Sequence, residues 1–196
     1  MERSTAKGII EALLFASEKP ISLEEICQVL EADDKNTLKK LIDELKGEYE
    51  SQGRGFRLIE VAGGFQVCTH PDFAPWLAKL FRSRRISRFS KPALETLAIV
   101  AYRQPVTRAE VESIRGVNVE GVLRTLLEKG MVRIRGRKDS PGRPLIYGTT
   151  SQFLEYFGLN SLSELPRLEE LVPPGGPKPG ELGKEESKDE FERVTE

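Results

Sequence analysis

In "TAKGIIEALLFASEK" the apolar residues Ile9, Ile10, Leu13 and Leu14 recur at spacings of three and four, the stripe of an amphipathic helix. Pro20 stops that helix. "SLEE", Ser22 to Glu25, is a capping box. The serine hydroxyl can accept from the amide three residues on while the glutamate reaches back to the serine amide. It opens a second helix with Ile26, Val29 and Leu30 on one face. A third helix is predicted from Lys35 to Glu48 with the stripe Leu38, Leu41, Ile42 and Leu45, and Gly53 and Gly55 break it. "FRLIEV" and "FQVCTH", joined through Ala62, Gly63 and Gly64, read as a β-hairpin, with Gly63-Gly64 supplying the positive φ angles of a tight turn. A short helix around Trp76 follows.

The same order is written again 85 residues further on, without gaps. Ile9 falls on Leu94, Leu13 on Ala98, Leu14 on Ile99 and Ala16 on Ala101. Pro20 falls on Pro105, Ile21 on Val106, Ser22 on Thr107, Glu25 on Glu110 and Ile26 on Val111. Leu38, Leu41 and Ile42 meet Leu123, Leu126 and Leu127. The second unit predicts a helix over 92–102 capped by Ser90, a capping box at Thr107–Glu110, and a helix over 119–129 closed by Gly130. Strands over 131–135 and 145–149 and a last helix from a Ser151 cap to Phe157 complete it. Three helices followed by a hairpin is the winged-helix plan, a helix-turn-helix with a wing. The predicted fold is therefore mainly α with β-hairpins, an α+β chain. It has tandem winged-helix domains over 1–81 and 92–172, a basic linker over 82–91 and a disordered charged tail over 173–196.

Charge divides these regions. Lys and Arg number 30 and Asp and Glu 31, so the 196-residue chain carries −1. From Pro173 onward there are seven acids and four bases, a net −3 that leaves +2 for the rest. No apolar run approaches the roughly 18–20 residues that span a bilayer, and the amino-terminal pattern is amphipathic, so a cytoplasmic protein is expected. Cys27 in an apolar helical stretch and Cys68 in a strand read as reduced packing residues. With His70 the only histidine, they are too few and too scattered for a zinc site. The glycine pairs sit at a helix end and a turn, not between a strand and a helix, so no phosphate loop is present. His70 has no Ser or Cys partner, and Glu95, Glu110 and Glu112 are explained by caps and solvated faces. Neither enzyme chemistry nor a cofactor, metal or small-molecule substrate is expected.

Binding is the more promising class. Base readout would need the third helix to present Arg, Asn or Gln. In "NVEGVLRTLLEK" only Asn118 and Arg124 qualify, and Glu120 and Glu128 repel phosphate. The first unit offers Lys35, Lys39 and Lys40, offset by Asp33, Asp34, Asp43 and Glu44. The densest basic cluster is the second hairpin: Arg133, Arg135, Arg137, Lys138 and Arg143. On an exposed strand the arginines at 133, 135 and 137 share one face by the period of two. A solvated wing, nonspecific DNA contact through released counterions and a docked partner protein all remain open, and a DNA-binding regulator is the alternative reading.

The stretch "FSKPALETLAIVAYRQPVTRAEVESIRGVNVEGVLRTLLEKGMVRIRGRKDSPGRPLIYGTT", then "FLEYFGLNSLSELP", resembles segregation and condensation protein B, the small accessory subunit of bacterial condensin. "IIEALLFASEKPISLEEI" is similar to the same family, and the resemblance covers residues 5–170. It implies a non-enzymatic homodimer of tandem winged-helix domains. Such a dimer binds the kleisin, segregation and condensation protein A, and through it a structural-maintenance-of-chromosomes ATPase on the nucleoid. It further implies dimerisation by the first domain and kleisin binding by the second. Placed on this chain, the dimer seam takes Ile9, Ile10, Leu13, Leu14 and Phe15. The kleisin groove takes Leu97, Val100, Ala101, Tyr102, Val119, Leu123 and Tyr147. DNA contact is expected to be nonspecific and indirect.

Overall fold

The computed structural model describes residues 2–81, 89–167 and 170. The expected linker arginines Arg82, Arg84, Arg85 and Arg88, and the expected disordered tail, lie outside the described residues. The chain is mixed α/β, with eight α-helices and two small antiparallel sheets among the described residues. Helices α1 (Arg3–Ala16), α2 (Leu23–Leu30) and α3 (Lys35–Ser51) lead into strands β1 (Phe56–Val61) and β2 (Gly64–Thr69) and helix α4 (Ala74–Leu80). Helices α5 (Lys91–Arg103), α6 (Arg108–Arg115) and α7 (Glu120–Glu128) lead into β4 (Val132–Arg137), β5 (Leu145–Thr149) and α8 (Ser151–Phe157). A two-residue strand β3 (Val106–Thr107) pairs with β5. Its counterpart in the first repeat is a single bridge, Ile21 to Phe65. Both repeats lie within one unit, Met1–Leu162.

Both capping boxes form. The Ser22 hydroxyl accepts from the Glu25 amide at 3.2 Å while the Ser22 amide donates to the Glu25 carboxylate at 2.8 Å. Thr107 and Glu110 repeat the pair at 3.3 and 2.7 Å. These bonds satisfy amides that a helix start otherwise leaves bare. Two other caps differ from expectation. Ser90 stands at the N-cap of α5 without a side-chain bond, and α8 is capped by Thr150, which accepts from Phe153, with Ser151 already helical.

The offset of 85 holds for the second and third helices and fails in the first. Ile26 and Val111, Leu38 and Leu123, and Leu41 and Leu126 are buried in pairs. In helix one the buried residues are Ala6, Ile10 and Leu14 in one repeat and Ala93, Thr96, Leu97, Val100 and Ala101 in the other. Ala6, Ile10 and Leu14 fall on Ala93, Leu97 and Ala101 at an offset of 87, which also aligns the helix ends Ala16 and Arg103. The physical reason is the connection to the next helix. It takes six residues after Ala16 and four after Arg103, so the helix faces are displaced by half a turn against a gapless match.

The first hairpin turns through Ala62 and Gly63, at φ 53° and 77°. Gly64, expected to share the positive φ, does not. It is required by crowding instead: a Cβ there would lie 2.8 Å from the Ile21 carbonyl oxygen. In the second hairpin the register slips between Ile134 and Gly136, leaving Arg135 as an extra residue. A β-bulge of this kind bends the strand and breaks its alternation.

Candidate partner-binding surfaces

The residues placed in the kleisin groove converge, but as an interior. Leu97, Val100, Ala101, Val119, Leu123 and Tyr147 are all buried, and Leu97, Val100 and Val119 are at most 1% exposed. Tyr102 is half-buried and alone of the seven reaches the surface. The five dimer-seam residues divide similarly. Ile10 and Leu14 are core, Leu13 packs half-buried against that core, and Ile9 is half-buried. Phe15 stands 86% exposed. At the structural offset of 87, Phe15 and Tyr102 occupy the same outward position of helix one.

The basic hairpin does not present its three arginines on one face. Arg133 pairs opposite Gly148 and Arg137 opposite Leu145, so the bulge puts them on opposite faces. Arg135 lies across Gly148, where a Cβ would meet its Cδ at 2.5 Å and Gln104 Oε1 at 2.8 Å. Gln104 is held there because it accepts from the Thr149 amide at 2.9 Å and donates to the Ala101 carbonyl at 3.1 Å. Two of the five cations are engaged. Lys138 donates to Glu110 at 2.6 Å and Arg137 to the Arg143 carbonyl at 3.1 Å. Lys138, with the Thr107 amide and hydroxyl, holds the Glu110 carboxyl down to about 2. Arg133 and Arg135 are exposed and have no acidic partner among the described residues.

The third helices are poor reading heads. Arg124 pairs with Glu128 at 3.0 Å, Glu120 is taken by Arg108 at 2.9 Å, and Lys35 pairs with Glu24 at 2.7 Å. A groove of about 620 Å³ runs between α1 and α3. Ala6, Leu30, Leu38 and Leu41 form its floor, and Arg3 and Lys40 stand at its rim.

A family model described as "Segregation and condensation complex subunit ScpB" matches residues 8–168. The chain belongs to this family. A segregation and condensation protein B of Syntrophotalea carbinolica is 51% identical over 172 residues, covering 88% of this chain and 86% of the relative. One from Desulforamulus reducens is 44% identical over 173 residues, covering 88% and 94%. A solved chain described as a dimer of the ScpB N-terminal domain complexed with ScpA peptide is 40% identical over 39% of this chain and 95% of its own. Its TM-score of 0.37 is too low for the superposition to bear on arrangement.

Two surfaces escape sequence reasoning. Helix α4 buries nothing: Trp76 is 63% and Leu80 71% exposed, with Phe73 and Phe81 beside them. An apolar stripe normally signals a core face, and here it does not. The other is the tip of the first hairpin. The Ala62 amide donates to the Leu159 carbonyl at 2.9 Å and the Gly63 amide to Asn160 Oδ1 at 2.8 Å. These partners are 97 residues apart in the chain, beyond any local pattern.

Proposed function

We propose that this chain is a non-enzymatic subunit of bacterial condensin, built as tandem winged-helix domains. In this reading it dimerises through the first domain and binds the kleisin ScpA, joining the SMC ATPase through it, in the cytoplasm at the nucleoid. Family membership supports the assembly. The observation that carries the binding mode is the outward position of helix one. Phe15 in the first repeat is largely exposed and Tyr102 in the second reaches the surface, where a self-contained domain would place polar residues. Phe15 continues the apolar face of α1 toward a second protomer. Tyr102 replaces the buried groove as the anchor for an amphipathic kleisin helix, and Leu97, Val100, Ala101, Val119, Leu123 and Tyr147 support it from beneath.

Light scattering on chromatographed mixtures tests the proposal. Two of these chains should travel with one ScpA from the same genome, at low and at moderate salt. Phe15→Asp should halve the mass of the free protein, and Tyr102→Asp should release the kleisin while leaving the dimer. A monomer that ignores ScpA and shifts on duplex DNA would sink the reading. One observation favours a second use of the wing: Arg133 and Arg135, exposed and without an acidic partner among the described residues, suit nonspecific phosphate contact within the assembled complex.

A further inference from the structure

The tip of a two-residue hairpin turn points its two central amides away from the ladder. In water they need no partner, but here both have one. The Ala62 amide meets the Leu159 carbonyl at 2.9 Å, the Gly63 amide meets Asn160 Oδ1 at 2.8 Å, and Asn160 Nδ2 donates to Glu60 at 3.2 Å. Each side of this contact is built. On the hairpin side Gly64 lets the turn close down on the Ile21 carbonyl, with Phe65 and Ile21 exchanging backbone bonds at 2.8 and 2.9 Å. On the other side α8 ends at Gly158 in the left-handed conformation, φ 67°, and the Leu159 amide returns to the Leu154 carbonyl at 2.9 Å. That C-cap swings the Leu159 carbonyl and the Asn160 side chain out of the helix line. Ala62 itself sits at φ 53°, a conformation a side chain resists. The Leu159 bond falls on the amide of that residue.

We infer that the first hairpin tip is a docking site for the Leu159–Asn160 segment of the same chain, and that this latch holds the two repeats as one body. The wing of the first repeat is thereby spent inside the molecule. The orientation of the second repeat is set by a carboxamide and two turn amides. This inference stands on the free protein and does not depend on the kleisin reading.

Hydrogen exchange by NMR on the full chain tests it. The Ala62 and Gly63 amides should be protected in the wild type. Asn160→Ala should speed Gly63 exchange about tenfold, the loss expected for one or two hydrogen bonds. The Phe65 amide, bonded within the first repeat, should be unchanged, which separates latch loss from unfolding. Asn160→Asp should open the latch and raise the radius of gyration, because it sets a second carboxylate against Glu60. The double substitution N160D/E60Q, which exchanges donor and acceptor, should restore both readings. Unprotected Ala62 and Gly63 amides in the wild type would overturn the inference. So would a radius of gyration unmoved by N160D, or a double variant that behaves like N160D alone.

Discussion

The first hairpin turns through two residues and its tip is covered by Leu159 and Asn160. The second connects its strands through seven residues, carries a bulge at Arg135, and sets Arg133 and Arg135 in solvent. Both follow three helices of the same order, and each carries a glycine crowded by a neighbour, Gly64 beside the turn of the first and Gly148 near the open end of the second. The difference teaches that the scaffold sets where a hairpin stands, while turn length and charge set what it meets. A short neutral tip with free amides accepts a carboxamide from its own chain. A long basic one leaves its loop in solvent, with Lys138 drawn onto Glu110 at 2.6 Å.

The largest effect on this comparison should come from the interior beneath the second hairpin. Leu97→Ala should cost about 2–5 kcal/mol in urea unfolding and lose kleisin only through unfolding. Tyr102→Ala should cost under about 1 kcal/mol and weaken kleisin binding directly; a large stability loss at Tyr102 would return it to the core. Next come the two crowded glycines. Gly64→Ala meets a backbone oxygen that cannot move and should cost about 3 kcal/mol, whereas Gly148→Ala meets the flexible Arg135 stem and the Gln104 amide and should cost about 1 kcal/mol. Equal thermal shifts for the two would erase the contrast.

Smaller again is a pH effect confined to the second hairpin and the Glu110 cap beneath it. The Glu110 carboxyl is lowered from the usual 4.5 to about 2 by Lys138 and Thr107. A depressed folded value stabilises the protein above pH 4.5, and the benefit drains away as pH falls toward 2. The stability gap between wild type and Glu110→Ala should therefore narrow from pH 5 to pH 2 in acid-unfolding curves, and a constant gap would break the assignment. Smallest is the double change R133E/R135E. It should move stability by less than about 0.5 kcal/mol and leave kleisin binding intact, while flattening the salt dependence of any DNA contact.

Much of this was legible in the residues. The capping boxes at Ser22 and Thr107, the third-helix stripes and the first hairpin's strands follow from local spacing, and they formed where expected. What failed was read across a loop or a bulge. The gapless match carried helix one to the wrong register, because the connection after Arg103 is two residues shorter than that after Ala16. A period of two carried Arg137 to the wrong face, because one extra residue at 135 inverts everything beyond it. The groove residues were apolar and clustered, as a docking site is, but so is a core, and only exposure separates Tyr102 from Leu97. The Asn160 contact was not legible, since a carboxamide in "FGLN" has no periodic signature.

The most direct test of the central claim, that this molecule grips a protein and not a DNA sequence, is fluorescence anisotropy on the full chain with labelled ScpA and labelled duplex DNA, side by side from low to physiological salt. The account predicts saturable ScpA binding that barely weakens across the range, and a DNA signal that has faded at physiological salt and ignores sequence. Tight, sequence-selective DNA binding that survives physiological salt, with no ScpA signal, would contradict it.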